Sequence, residues 1–504
     1  MRAFVLFICC SSFLVSGVTQ SKQDYYWPLE RDDSSEPGIQ ATEFDFNNRP
    51  FMPTERLGGL IYDRQVLSQS DVEGNLLFTC NGCTVANAQG DTMLNGHGMH
   101  EGEFVEFFWS DRCDNLPFPQ ELISLNDPAN PDGYYIIHKL IGVDLNADIT
   151  FIWKDILATY VDMSREEGLG AVIYRDSLVA KGDYTASYLT AIRHSNQKDW
   201  WLFQPTQFPD SGWYSYLLNE KGIEEQPYQD VGPDFKFGQL GSGYAHFSPD
   251  GEQLGYFNQR DGLHLYNFDR STGLLSNFRH MEYHPQDTFG FSCMEFSPNS
   301  RFIYVSDRDS LWQVDTWSDD MARTKVLLRV NTDPTTSYFI AKQGPDCRIY
   351  IRGNKGSYVH YVDKPDELGL ACDFRHDGFL LPHRFNIGGF PNFPRFRVDE
   401  EDKCDPSITS LFGETVWYRR DLTTYPNPVS DRLTIELPEE VGSGRLYVLD
   451  LNGQLVWEGE TSSSQAVQTL NMSAYAEGTY SVEYVPRDNP ERRVWTSRVV
   501  VVRE

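Results

Sequence analysis

Short runs of β-branched and aromatic residues recur along most of the chain, each about six residues long and closed by Gly, Pro, Asn or Asp. Clear cases are NLLFTC (75–80), GYYIIHK (133–139), DWWLFQ (199–204), QLGYFN (253–258), RFIYVSD (301–307) and RIYIRG (348–353). Almost no interior stretch carries the spacing of an amphipathic helix. The later runs also repeat in register. HFSPDGEQLGYF (246–257) aligns with EFSPNSRFIYV (295–305) and more loosely with KQGPDCRIYI (342–351), placing Pro249, Pro298 and Pro345 49 and 47 residues apart. A second strand follows each copy: LHLYNFD (263–269), LWQVD (311–315) and YVHYVD (358–363). A small twisted sheet cannot bury both faces alone, and radial stacking of such sheets solves that problem. The pattern therefore predicts an all-β fold with a six- or seven-bladed β-propeller over 43–404. The x-Pro-Asp/Asn-Gly/Ser turn is expected to lead from the outer strand of one blade into the next.

From Thr424 the pattern changes to about eighty residues of alternating strands: DRLTIEL, GRLYVLDL, QLVWEGE, GTYSVEYV and SRVVVVRE. Their Pro, Asn-Gly and Glu-Gly turns predict a small Ig-like antiparallel β-sandwich over 424–504. At the other end, Arg2 precedes an apolar run from Ala3 to about Val18, the layout of a signal peptide over 1–20. Residues 21–42 and 405–423 read as linkers.

The chain has 73 acidic against 43 basic side chains, a formal charge of -30. Such a field repels phosphate backbones, so nucleic acid is not an expected partner. Seven cysteines lie beyond the apolar leader, an odd number that leaves at least one without an intramolecular bridge. Cys80 and Cys83 form a CxxC in a hairpin-like setting, read as a disulfide with each other or with a neighbour, with inert thiols, redox chemistry or half a zinc site as alternatives. Cys372 and Cys404 are candidates for a bridge closing the end of the central region.

No GxSxG, HExxH, P-loop or GxGxxG motif occurs. SDRDSLW (306–312) lacks the glycine a sialidase-type Asp box needs. The densest polar cluster runs from Arg193 through His194 to Asp199, then into Trp200 and Trp201. His194 beside Asp199 is the weak candidate for acid–base chemistry. Arg193, His194, Trp200 and Trp201 are candidates for ligand contact, and a hydrogen-bonded turn is the plainer reading. His138, His246 and His360 read as packing residues at strand ends. No cofactor or metal site is assigned, although turn carboxylates at Asp127, Asp132, Asp250, Asp261, Asp307 and Asp309 offer Ca²⁺ a weak opportunity. Trp109, Trp201, Trp213 and Tyr214 suit either sugar stacking or packing between blades.

Two resemblances add to this reading. GNLLFTCNG, LTAIRHSNQKDWWLF, LYNFDRSTGLLSN, FSPNSRFIYVSD and LPHRFNIGGFPNFPRFRV resemble secreted Bacteroidota propeller proteins with YVTN/WD-like repeats. That likeness implies architecture without a mechanism. The tail resembles the type A C-terminal sorting domain of the type IX secretion system. The matching residues are Tyr425-Pro426-Asn427-Pro428, Leu449 to Val456 with Asp450, Asn452 and Gly453, and Gly478-Thr479-Tyr480. It implies delivery to the cell surface or medium by the type IX machinery, and either attachment to surface lipopolysaccharide or release. The expected function is an exported binding scaffold for a glycan or protein. The alternative is a secreted hydrolase or lyase acting on polysaccharide or peptide.

Overall fold

The computed structural model describes residues 21–503 except 32–39, 49–50, 52, 58, 63–64, 110–112, 114–115, 117, 145–150, 207–211, 233–242, 284–291, 332–336, 354–355, 386–388, 399–402, 411–417, 438–442, 450–454, 463–465 and 487–492. The expected signal peptide, and Asp450, Asn452 and Gly453 of the tail motif, lie outside the described residues.

Among the described residues seven blades form a ring, which the first unit carries except for 357–360 and 375–381 of the seventh. Blade 1 has three strands (Tyr26–Arg31, Gln40–Asp45, Thr54–Leu57). Blades 2 and 3 (Leu67–His97 and Leu122–Tyr184) are joined through their outer strands into one eight-stranded sheet, where Ala171 pairs in parallel with Leu94. Blades 4 to 7 are four-stranded antiparallel sheets spanning Thr190–Glu225, Tyr244–Met281, Met294–Val330 and Ile340–Phe385. Neighbouring inner strands lie side by side from blade to blade. The ring closes where Trp27 and Phe44 of blade 1 meet Tyr350 of blade 7, at 5.6 and 5.5 Å between ring centroids.

Burial follows the radius. Leu67–Ser70, Tyr244–Phe247 and Ile340–Gln343 are buried throughout, whereas the outer strand Thr92–His97 is largely open to solvent. Blades lock through aromatics: Phe203 of blade 4 meets Phe247 and Phe268 of blade 5 at 5.5 and 5.4 Å. Trp213 is wholly buried against Tyr256 and Tyr266, so it packs between blades.

Two sequence expectations change here. Part of the supposed linker 21–42 is core: Trp27 and Leu29 are fully buried in blade 1. The polar stretch around them had masked one short apolar strand. The Pro-Asp turn joins the inner strand of a blade to the second strand of the same blade. Its chemistry repeats in two copies: Ser248 Oγ accepts from Gln253 N and Ser297 Oγ from Phe302 N, at 2.9 and 2.8 Å. Gly251, Ser300 and Cys347 take the same left-handed position.

The second unit comprises 407–504 with the short stretches 357–360 and 375–381. Its tail is a sandwich of a five-stranded and a three-stranded sheet. Leu433, Ile435, Leu446, Val448, Val482, Tyr484 and Val499 form a dry core between them. Within the stretch expected to be linker, Tyr418–Asp421 adds a parallel strand beside Arg493–Val501, because an open sheet edge recruits a neighbouring extended segment.

Candidate functional site

The ring's axis is not an open channel. Residues Gly389–Val398 thread it, and their polar groups reach the inner strand of blade after blade. Asn392 donates to Leu122 O and Leu189 O at 3.1 and 3.0 Å, while its own N–H donates to Val66 O. Arg395 N–H donates to Ala191 O, and its guanidinium donates to Phe247 O, Gln343 Oε1 and Glu295 Oε1 at 2.9, 2.8 and 2.9 Å. Arg397 forks onto the Asp24 carboxylate just before blade 1. Phe390 packs on Trp27 at 5.2 Å and Phe396 on Trp200 at 5.7 Å. Backbone carbonyls of inner strands that face the axis need donors, and this segment supplies them.

Beside that plug remains a cavity of about 30 Å³, walled by Asp24, His246, Lys342, Arg395, Arg397 and Lys403 among others. A second void of about 10 Å³ shares His246 and Lys342. Glu295 is fully buried and held well below the usual carboxylate range: burial opposes its charge, but His246, Arg395, Lys342 and the Gln343 N–H outweigh it. Burial pushes Lys342 down to about 8 and His246 to about 3. Lys342 Nζ makes one long hydrogen bond, 3.3 Å to Phe393 O, and His246 Nε2 has no partner among the described residues.

Lys139 shows what a satisfied buried lysine looks like. Its ammonium reaches Glu121 Oε2, Thr185 O and Ser187 O at 2.9, 2.9 and 2.6 Å, filling all three donors. Lys139 is structural by that measure, whereas Lys342 has donors to spare.

The sequence-nominated cluster lies elsewhere, at the tip of the hairpin between Thr190–Arg193 and Trp200–Pro205. His194 Nδ1 accepts from Asn196 N at 3.0 Å, and Asp199 Oδ2 accepts from Asn196 Nδ2 at 2.7 Å. His194 and Asp199 thus each engage Asn196 inside one turn. Trp200 and Trp201 are buried; Trp201 Nε1 donates to Arg270 O, and Arg193 lies over the Trp200 ring at 4.9 Å. Trp109 falls in a short helix and its side chain is outside the described residues, while Tyr214 packs against Tyr184 at 5.1 Å.

Sequence reading took His138 as a packing residue and passed over His100, its buried partner. His100 Nδ1 and Nε2 face Gly82 O and Lys139 O at 2.8 Å each. His138 lies between His100 (3.2 Å) and the Asp176 carboxylate (3.2 Å). Burial pushes His100 down to about 4. Both rings are shut from solvent, which suits a cross-brace between blades 2 and 3 better than contact with a substrate.

The turn carboxylates serve their own loops. Asp127 accepts from Ala129 N and Tyr160 OH, Asp250 from Glu252 N, and Asp307 from Ser310 N and Tyr283 OH. Among the described residues a grouping with metal-ligand spacing occurs at His360, His376 and Asp377. There the Asp377 N–H already donates to His360 Nδ1 at 2.9 Å, and the two rings stack in parallel.

Cys372 does not bridge Cys404, nor Cys80 Cys83. Cys83 bonds Cys113 and Cys347 bonds Cys404, while Cys80, Cys293 and Cys372 remain buried thiols. The Gly82 N–H donates to Cys80 Sγ, engaging that thiol inside the turn, and the Asp405 N–H donates to Pro345 O, holding Cys404 beside the Pro-Asp turn that carries Cys347.

In the tail, the Tyr-Pro-Asn-Pro motif has a visible task. Asn427 Oδ1 accepts from Val500 N at 2.9 Å and its Nδ2 donates to Arg498 O at 2.7 Å, so one side chain extends the last strand's ladder. Val429 continues it in parallel, donating to Val500 O. Tyr480 OH donates to Ala476 O at 3.0 Å, and Arg503 ties the terminus to Met472 O and Ser473 O.

No match was found among curated proteins. Solved structures similar to this chain include a protein from Lactobacillus plantarum (12% identity, TM-score 0.39, covering 73% of this chain and 99% of that one). Another is the periplasmic gluconolactonase PpgL of Pseudomonas aeruginosa (12%, 0.33, 88% and 99%). Citrobacter koseri AztD is a third (11%, 0.30, 88% and 98%). Residues 423–501 match the family described as secretion system C-terminal sorting domain, so the β-propeller chain ends in an export address for the type IX pathway.

Proposed function

We propose that this chain is a cell-surface or extracellular binding protein, carried out by the type IX machinery and there attached to lipopolysaccharide or released, with a glycan or protein as ligand. The observation that carries the binding reading is the axial cavity, where buried cationic and imidazole groups have unused hydrogen-bonding capacity. The acid–base pair an enzyme would need is less well served, because His194 and Asp199 bond within one exposed turn and the His100–His138 pair is sealed. Two measurements test the proposal. Deleting 424–504 should leave the protein in the periplasm, and unchanged surface delivery would remove the export half. A thermal-shift screen of the full chain against neutral glycans, acidic glycans and peptides, with product analysis, should return a stabilising ligand that is recovered intact. Turnover of that ligand would replace binding with catalysis.

A further inference from the structure

The axial cavity concentrates positive charge inside an acidic protein. Lys342, Arg395, Arg397 and Lys403 line it against Asp24, with Glu295 behind Arg395, an excess of two cations in a chain of formal charge -30. Arg395 and Arg397 are committed to Glu295 and Asp24. Lys342 is not committed: an ammonium has three donors, and among the described residues one bond of 3.3 Å is made. His246 lines the same cavity, 4% of the residue exposed, and its buried Nε2 has no partner among the described residues. Leaving such groups unmade in a buried place is costly, and evolution rarely leaves them so without a use. Both line a space of about 30 Å³, room for about two waters or the two oxygens of one carboxylate.

We propose that the axial cavity seats the carboxylate of a small organic or sugar acid, one oxygen on Lys342 Nζ and the other on His246 Nε2, with the rest of the molecule at the cavity mouth. This rests on the binding reading above and names its ligand chemistry. A planar carboxylate suits two donors on one wall, while a tetrahedral dianion carries more oxygens and charge than the pair can satisfy. The charged groups facing Lys342 are Glu295, Arg395, Asp24 and Arg397, with His246 beside them. Since burial holds Lys342 near 8, its ammonium is present at pH 6.5 and mostly lost at pH 9.5.

Isothermal titration of the full chain with sodium acetate, sodium glucuronate, glucose and inorganic phosphate tests the assignment. Acetate and glucuronate should bind at pH 6.5, glucose should not, and phosphate should bind at least tenfold more weakly. Carboxylate affinity should fall about tenfold or more by pH 9.5, and by a similar factor in Lys342→Met. Met keeps the apolar stem and removes a buried charge, so that variant should fold; His246→Asn provides an independent second loss. Equal carboxylate affinity in Lys342→Met, or preference for phosphate, overturns the proposal. Binding of glucose with no carboxylate binding overturns it and leaves the binding function standing, whereas failure of all four probes overturns this assignment alone, and failure of the glycan and peptide screen as well brings down both.

Discussion

Replacing Arg395 by Met is the most searching test of the axial plug. In the ring this guanidinium donates twice to Phe247 O (3.1 and 2.9 Å), once to Gln343 Oε1 (2.8 Å) and pairs with Glu295 Oε1 (2.9 Å). Glu295 is completely buried and, among the described residues, would keep the N–H groups of Phe296 and Gln343, both at 3.0 Å, with His246 and Lys342 nearby. Removing one partner of a buried ion pair costs about 3–5 kcal/mol, much of it the stranded charge. For a domain this large that corresponds to about 2 °C per kcal/mol, a fall of about 6–10 °C. Tryptophan fluorescence follows the relevant transition, because Trp27 and Trp200 pack on Phe390 and Phe396 of the plug. The sign with pH follows from Glu295. In the parent its folded pKa is depressed, so its stabilisation is present above the unfolded carboxylate pKa and lost as pH falls through the folded one. In Arg395→Met the same burial favours the protonated acid, so the gap between parent and variant should narrow from pH 7 toward pH 4.5. The double variant Glu295→Gln/Arg395→Met should recover a large part of the loss. A single variant within about 1 kcal/mol of the parent, or a double variant no better than the single, would refute the role given to this pair.

Other outcomes follow from separate parts of the molecule. Cys404→Ser opens a loop of sequence separation 57 and should cost about 4 kcal/mol; peptide mapping without reductant should find Cys347 joined to Cys404 and Cys83 to Cys113, not Cys372 to Cys404. Lys342→Met should stabilise the ligand-free protein below pH 8, because depression from 10.5 to about 8 represents about 3 kcal/mol against the charged form; urea titrations should show that gain vanish as pH rises past the unfolded lysine pKa. Asn427→Ala removes two hydrogen bonds to the last strand and should lower tail stability by about 1–2 kcal/mol, read as faster amide exchange at Val500.

Legibility differed between elements for identifiable reasons. The 246–257 and 295–305 repeats announced their blades because Ser248 and Ser297 do local work, satisfying turn amides within five residues. The tail was legible for the same reason, since alternation and turns are short-range features. Blade 1 was not, because its short apolar run around Trp27 lies between the polar stretches SKQD and ERDD and completes its core with Tyr350, Phe390 and Phe393 far along the chain. His246 and Lys342 looked ordinary in sequence; both lie on inner strands whose polar residues face an axis that no local pattern reveals.

The linear order of residues by itself determined an all-β chain, a repeating blade, and a distinct C-terminal sandwich bearing the export motif. Only the tertiary structure decided that seven blades close the ring, that residues near 390–398 fill its axis, and which cysteines meet. Arg397 finds Asp24 across 373 residues and Asn392 finds Leu122 across 270. Contacts at such separations are selected by ring closure, which buries the faces and leaves their polar groups to be satisfied by whatever segment can reach the centre.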